Sequence, residues 1–311
     1  MSVALQLLQS LLVVLAAPLV LGWVNICRAW LQNRSAPSIW LPYYSLAKLF
    51  HKDAVIANTA SPMFRFTPYV LFGCMALAAG IVPVLATDLP FAPAADIIAL
   101  VGLFATARVF AALAAMDTGT SFGGLGARRE MLVGFLAEPA MLMTLFTAAF
   151  ISGSTQLTTI VETLAHREFA IYPSLAFAAV AFLMVLLAEN ARIPVDNPAT
   201  HLELTMLHEA QILEYSARHL ALIEWASAIK LVAYMTIGFA LFVPWGIAEA
   251  GDWAAIPAVG ALAVKLAAAG AGLALIETLL AKMRIFLVAE FLSTAFLLAV
   301  LGMLTHFLVR G

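Results

Sequence analysis

Eight stretches, each about as long as a bilayer is thick when wound as a helix, follow one another along the chain. They occupy 3–24, 66–86, 94–116, 130–152, 171–189, 222–245, 254–281 and 283–308. Each is mostly apolar, and about 20 such residues at about 1.5 Å rise per residue match a hydrocarbon core of roughly 30 Å. Composition agrees: the chain is 64% hydrophobic and 11% charged, where soluble domains carry about 25% charged residues. The expectation is an all-α polytopic membrane protein. It forms a single integral membrane domain over 1–311 with eight transmembrane helices. The last two meet in a tight hairpin at AKMRIF, residues 281–286.

The first apolar run has no Lys or Arg before it; the first basic residue is Arg28. A cleaved leader wants positive charge ahead of its apolar core, so residues 3–24 are expected to be a retained membrane helix. Net charge is close to neutral, which excludes the basic footprint of nucleic-acid binding. Cys27 and Cys74 are isolated thiols. An iron–sulfur cluster wants about four cysteines, so none is expected in this chain, and both thiols read as small apolar residues.

Basic residues concentrate on the cytoplasmic side of a membrane protein. With eight spans and both termini periplasmic, one side receives eleven: Arg28, Arg34, Lys48, Lys52, Arg65, Arg128, Arg129, Arg192, Arg218, Lys282 and Arg284. The other receives two, Arg167 and Arg310, while Arg108, Lys230 and Lys265 fall inside spans. The loops 25–65 and 190–221 are therefore expected in the cytoplasm.

The second loop concentrates ionisable chemistry in LAENARIPVDNPATHLELTMLHEAQILEYSARHL, residues 187–220. Its later part predicts a helix over 197–220. Asn197 suits the cap and Pro198 the first turn. Leu202, Met206, Ala210, Leu213, Ala217 and Leu220 recur as one apolar face. Glu203, Glu209, Glu214, His201, His208 and Arg218 decorate the rest. Three readings compete: an amphipathic helix on the membrane surface, a metal site, or a docking or proton-collecting surface. HEAQI at 208–212 begins like H-E-x-x-H but ends in Ile212, so the zinc motif fails. Pro194 blocks simple continuation of the preceding helix. A charged, irregular junction at the membrane face is costly unless something buries or uses it, which favours docking.

Inside the spans, each central charge costs about 2.5–3.5 kcal/mol on insertion scales. These groups must face one another, water or a partner. Pro139 leaves the Phe135 carbonyl without its usual donor, a place for water beside Glu138. Lys230 and Glu277 lie on neighbouring spans as a candidate opposed pair. Two readings stay open: salt bridges that lock the bundle, and a hydrated proton or ion path. The path candidates are Glu138, Glu189, Glu203, Glu209, Glu214, Glu224, Lys230, Lys265, Glu277 and Glu290.

The loop ENARIPVDNPATHLELTMLHEAQILEYSARHLALIEWASAIK closely resembles that of the membrane subunit of formate hydrogenlyase and hydrogenase-4 complexes. That family is homologous to the quinone-site membrane subunit of respiratory complex I, whose loop carries E-x-R-P-P-F-D followed by E-Y-S. The matching residues are Glu189, Arg192, Pro194, Asp196 and Glu214-Tyr215-Ser216. LQNRSAP (31–37) resembles the family's Q-N-R-x-G-P segment. GGLGARREMLVGFLAEP (123–139) places Glu138 on its intramembrane Glu, and ETLLAKMRIF (277–286) resembles the hydrogenase-type hairpin. Ala36 replaces a family Gly and Ile193 a complex I Pro, departures that resemble the hydrogenase branch.

The resemblance implies a non-catalytic subunit of the bacterial inner (plasma) membrane, coupled to proton or sodium translocation. It binds no cofactor itself. The [NiFe] centre and iron–sulfur clusters are expected in partners: a [NiFe] hydrogenase large subunit and an iron–sulfur small subunit, beside antiporter-like membrane subunits. Docking-loop candidates are Arg34, Arg192, Asp196, Tyr215, Arg218, Lys282 and Arg284. The alternatives are a quinone-site subunit of a complex I-like NADH dehydrogenase and a stand-alone ion transporter. Transporters often show internal repeats, and no repeat is visible here.

Overall fold

The structure, a computed structural model, describes residues 2–87, 90–166, 173–196, 208–247 and 255–310. The chain is helical: α1 (Ser2–Leu31), α2 (Leu41–Phe50), α3 (Pro62–Ile81), α4 (Ile97–Asp117), α5 (Ser121–Ser152), α6 (Leu157–His166), α7 (Pro173–Glu189), α8 (Glu209–Ile212), α9 (Ala217–Phe242), α10 (Ala255–Leu279) and α11 (Ile285–Arg310). No β-strand occurs among the described residues.

Seven of these helices, α1, α3, α4, α5, α9, α10 and α11, are long and apolar enough to cross a membrane. The protein is thus a multi-pass membrane protein. α7 is equally apolar but has 17 residues, about 25 Å at 1.5 Å per residue. The first two residues of the expected fifth run, 171 and 172, lie outside the described residues.

Local chemistry sets the helix ends. Asp96 caps α4 by accepting from the Ile98 N–H at 2.7 Å, and Thr120 caps α5 through the Gly123 N–H. Ser61 caps α3 ahead of Pro62. α7 ends in a turn in which the Arg192 N–H reaches the Leu187 carbonyl and the Ala191 N–H the Ala188 carbonyl. Ala191 takes φ +50° there, a left-handed position usually given to Gly. α3 stops just before Pro83, and two glutamines of α1 meet the backbone groups this leaves. Gln6 donates to the Gly80 carbonyl, while Gln9 donates to the Val82 carbonyl and accepts from the Leu85 N–H.

The helices pack through small residues. Ala17, Ala78, Ala137, Ala181 and Ala233 are fully buried, which allows the close backbone approach that membrane bundles use. α11 runs along α7 and α5, α3 lies between α4 and α9, and α1 lies against α10 and α9. Large side chains such as Phe135, Val264 and Leu308 point outward, as a lipid-facing surface requires.

Two connections differ from expectation. The loop 25–65 contains α2, which rests on α1 and α9; its Tyr43 hydroxyl donates to the Leu15 carbonyl. The connection after α5 contains α6. The helix expected over 197–220 is not continuous within the described residues. After the single turn of α8 the chain breaks at 213–216, and Ala217 already begins the spanning α9. Tertiary contacts override the periodicity there. Tyr215 stacks on Phe64 with ring centroids 4.0 Å apart and donates to its carbonyl. Ser216 both accepts from the Val55 N–H and donates to the Val55 carbonyl. Asn197, Pro198, His201, Leu202, Glu203 and Met206 lie outside the described residues.

Candidate functional site

Arg108, in the interior of α4, organises the site. α5 passes so close that only a glycine fits opposite: a Cβ on Gly134 would stand 2.6 Å from Arg108 Cδ and 2.8 Å from Cζ. The guanidinium donates through Nη1 to Glu138 of α5 and through Nη2 to both carboxylate oxygens of Glu189, the last residue of α7. Its Nε lies 3.6 Å from Glu130 Oε1, also on α5. Lys230 of α9 reaches Glu189 from the other side, donating to Oε2 at 2.9 Å and to the backbone carbonyl at 2.6 Å. An ammonium suits these last carbonyls of α7. Four helices are joined by one chain of charges.

Arg108, Glu130 and Glu189 are nearly inaccessible, with side-chain exposures of 5%, 6% and 2%, whereas Glu138 keeps 33%. Breaking a buried pair by removing one partner costs about 3–5 kcal/mol.

The loop joins this cluster at His208, whose Nε2 stands 3.2 Å from Glu130 Oε2. The His208 N–H donates to Asp196 Oδ2 at 3.3 Å, and Asp196 Oδ1 accepts from Lys282 of the α10–α11 turn at 3.1 Å. α8 is pressed onto α5 at a second glycine: a Cβ on Gly126 would meet Ala210 Cβ at 2.9 Å. Gln211 donates to the Gly126 carbonyl. Burial opposes charge on His208, but the Glu130 carboxylate more than offsets it, so the imidazole is held above its ordinary value.

A second cluster surrounds Glu277 near the end of α10. Arg192 donates to its Oε1 at 3.1 Å, and Arg28 of α1 approaches its Oε2 at 3.5 Å. Burial lowers Arg192 below the usual arginine value, against the pull of Glu277. Beside it, a cleft of about 520 Å³ opens between α1, α2 and the post-α7 segment, with Arg28, Arg34, Gln32, Ile193 and Glu277 in its wall.

Of the expected path residues, Glu138, Glu189 and Lys230 come together on Arg108. The expected Lys230–Glu277 pair does not form: Lys230 is spent on Glu189, and Glu277 is held by two arginines. Lys265 donates to the Val243 carbonyl at the end of α9. Glu224 and Glu290 are exposed on α9 and α11, Glu214 is half-buried between α8 and α9, and Glu209 sits on α8. None of these five is brought to Arg108. Arg192 and Asp196, expected as docking charges, are instead met inside the chain. Arg34, Arg218 and Arg284 are exposed, and Lys282 holds Asp196.

Arg108, Glu130 and His208 escaped the sequence reading as site residues. Arg108 had a signal, a guanidinium inside an apolar run. Glu130 had none, because it follows Arg128 and Arg129 at the edge of a run and reads as surface charge.

The family profile described as NADH dehydrogenase matches residues 3–308. The chain is 32% identical over 286 residues to formate hydrogenlyase subunit 4 of Escherichia coli (strain K12), covering 92% of each. It is 36% identical over 248 residues to hydrogenase-4 component C of the same organism, covering 79% of this chain and 77% of that one. An NADH-quinone oxidoreductase membrane protein of Bacteroides fragilis is 26% identical over 219 residues, 69% of this chain and 56% of that protein. A chain in the structure of the membrane-bound sulfane sulfur reductase, an archaeal respiratory membrane complex, superposes with TM-score 0.79 at 20% identity, covering 96% of this chain and 98% of that one. That last likeness is one of fold.

Proposed function

The chain belongs to the NADH dehydrogenase family, and from that premise we propose that it is the membrane-anchoring and coupling subunit of an energy-converting hydrogenase complex of the formate hydrogenlyase type. The two relatives above 30% identity support the assignment to that branch. The subunit crosses a bacterial inner membrane eight times, with α7 as the short span, both termini periplasmic, and α2 and α8 on the cytoplasmic side. The eleven-to-two division of basic residues supports this orientation. A hydrophilic arm, made of a [NiFe] large subunit and an iron–sulfur small subunit, docks on the cytoplasmic loops. Antiporter-like subunits flank the bundle. The redox centres lie in those partners, and this chain converts their chemistry into proton or sodium movement.

One observation carries the coupling role: the unbroken run Lys230–Glu189–Arg108–Glu130–His208, which leads from the interior of the bundle to the loop. A purely structural lock needs balanced pairs. Here three carboxylates share two cations, so a proton taken up or released shifts the balance of the whole group. The half-exposed Glu138 is the member with access to water. The test compares Glu138→Gln and Glu189→Gln in assembled complex, measuring ion translocation per hydrogen turned over, with and without an uncoupler. Translocation should fall in both variants when scaled to assembled complex. Loss only in proportion to lost complex would reduce these residues to structural pairs.

The cleft beside Glu277 favours a second reading, a site for a quinone. A photoreactive quinone analogue that labels Ile193 or Arg34 in intact membranes would support it.

A further inference from the structure

Resting on the coupling reading above, we propose that His208 carries protons between the loop that follows α7 and the Arg108 cluster, handing them to Glu130.

Three observations point to this residue. His208 is the loop group whose ring reaches the cluster, with Nε2 3.2 Å from Glu130 Oε2. Among the described residues neither of its buried ring nitrogens makes a hydrogen bond, and Glu130 Oε2 is likewise without one. A histidine kept for structure satisfies its ring with fixed partners; this one meets a carboxylate on one side and leaves Nδ1 uncommitted. Lastly, Arg108 and Lys230 supply two positive charges against the three carboxylates Glu130, Glu138 and Glu189. The group is one positive charge short while His208 is neutral, and balanced once it is protonated.

The charged surroundings of the ring come from every packed element. Glu130 faces it from α5, with Arg108 of α4 behind that carboxylate. Asp196 holds its backbone N–H, and Lys282 of the α10–α11 turn holds Asp196. Lys230 acts from α9, and Glu209 follows on α8. Burial and Lys230 disfavour the imidazolium, while Glu130 and Asp196 favour it and prevail, so the ring stays charged to higher pH than a free histidine. A group of this kind titrates where a relay must.

The step is a proton transfer alone. Nδ1 accepts a proton from the aqueous side of the loop. The Nε2–H bond breaks with its electron pair remaining on nitrogen, and an O–H bond forms on Glu130 Oε2. The imidazolium becomes neutral imidazole and the carboxylate becomes the acid. Glu130 then ceases to attract Arg108, whose guanidinium is left to Glu138 and Glu189. That change transmits the loop's protonation into the bundle.

The experiment uses the assembled complex in inverted membrane vesicles, scoring protons moved per hydrogen turned over. In His208→Gln the rate of translocation per assembled complex should fall by about 100-fold, the lower end of what a positioned proton-transfer group contributes. His208→Ala should recover in the presence of imidazole, which a merely structural role would not allow. The wild-type pH profile should contain a limb that Glu130→Gln moves to lower pH, because the carboxylate that sustains the imidazolium is gone; this reading stands even if the His208 variants fail to assemble. Undiminished translocation in His208→Gln, or a limb unmoved in Glu130→Gln, overturns the proposal while leaving the coupling reading intact. A wild-type complex that moves no protons overturns both.

Discussion

The guanidinium of Arg108 on α4 occupies the space that any side chain at Gly134 of α5 would need. Two helices therefore approach closely enough for one arginine to reach three carboxylates on two neighbours. Gly134→Ala should displace Arg108 and cost about 1–3 kcal/mol, the usual range for overpacking. Gly102→Ala, on the same α4 but with nothing within 4 Å of an added Cβ, should be neutral or stabilising by about 0.5–1 kcal/mol. Thermal unfolding in detergent compares the two. Equal melting temperatures would contradict the close α4–α5 contact.

Removing the central cation should be worse than removing one of its anions. Arg108→Gln leaves three buried carboxylates with Lys230 alone, and should cost about 3–5 kcal/mol. Adding Glu189→Gln to it returns the group to its original net charge and should restore part of the loss, a coupling visible in a double-mutant cycle. The readout is the amount of complex on a native gel. Wild-type levels of Arg108→Gln would mean that the cluster contributes nothing to stability.

Topology is tested by single-cysteine labelling in a background lacking Cys27 and Cys74. Ser35→Cys and Phe122→Cys lie at exposed positions after α1 and at the start of α5, and Gln156→Cys just beyond the opposite end of α5. The first two should react with an impermeant reagent from the cytoplasmic side only, the third from the periplasmic side only. Labelling of all three from one side would refute the proposed arrangement.

The docking prediction turns on which basic residues are already spent. Arg218→Glu and Arg284→Glu change exposed charges and should weaken co-purification of the [NiFe] large subunit, most clearly at low salt, without lowering the amount of this chain. Arg192→Glu breaks a buried contact with Glu277 and should lower the chain itself. If the three variants behave alike, the exposed arginines do not form the docking rim.

Hydropathy and charge were legible in sequence because each depends on residue type and spacing alone. Apolar runs predicted the spanning helices near their observed places, since a chain cannot leave backbone groups unpaired in lipid. The uneven distribution of Lys and Arg supplied an orientation, and the loop around Glu189, Arg192 and Tyr215 supplied the family. Glu138, Glu189 and Lys230 were identifiable as costly groups in need of partners. Which partner each would find was decided only by the packing. Lys230 and Glu277 suited one another on paper, but α9 presents its lysine to the end of α7, while α10 turns Glu277 toward α1. The helical periodicity across 213–216 was real and yet did not prevail, because Tyr215 gains a stacked ring and a hydrogen bond on Phe64 by breaking it. Arg108 could become the hub only where Gly134 lets α5 come close, a condition set by two residues 26 positions apart in the chain. Burial energies follow from composition, whereas ion pairs fall off within a few ångströms and so depend on helix crossings that no local stretch of sequence encodes.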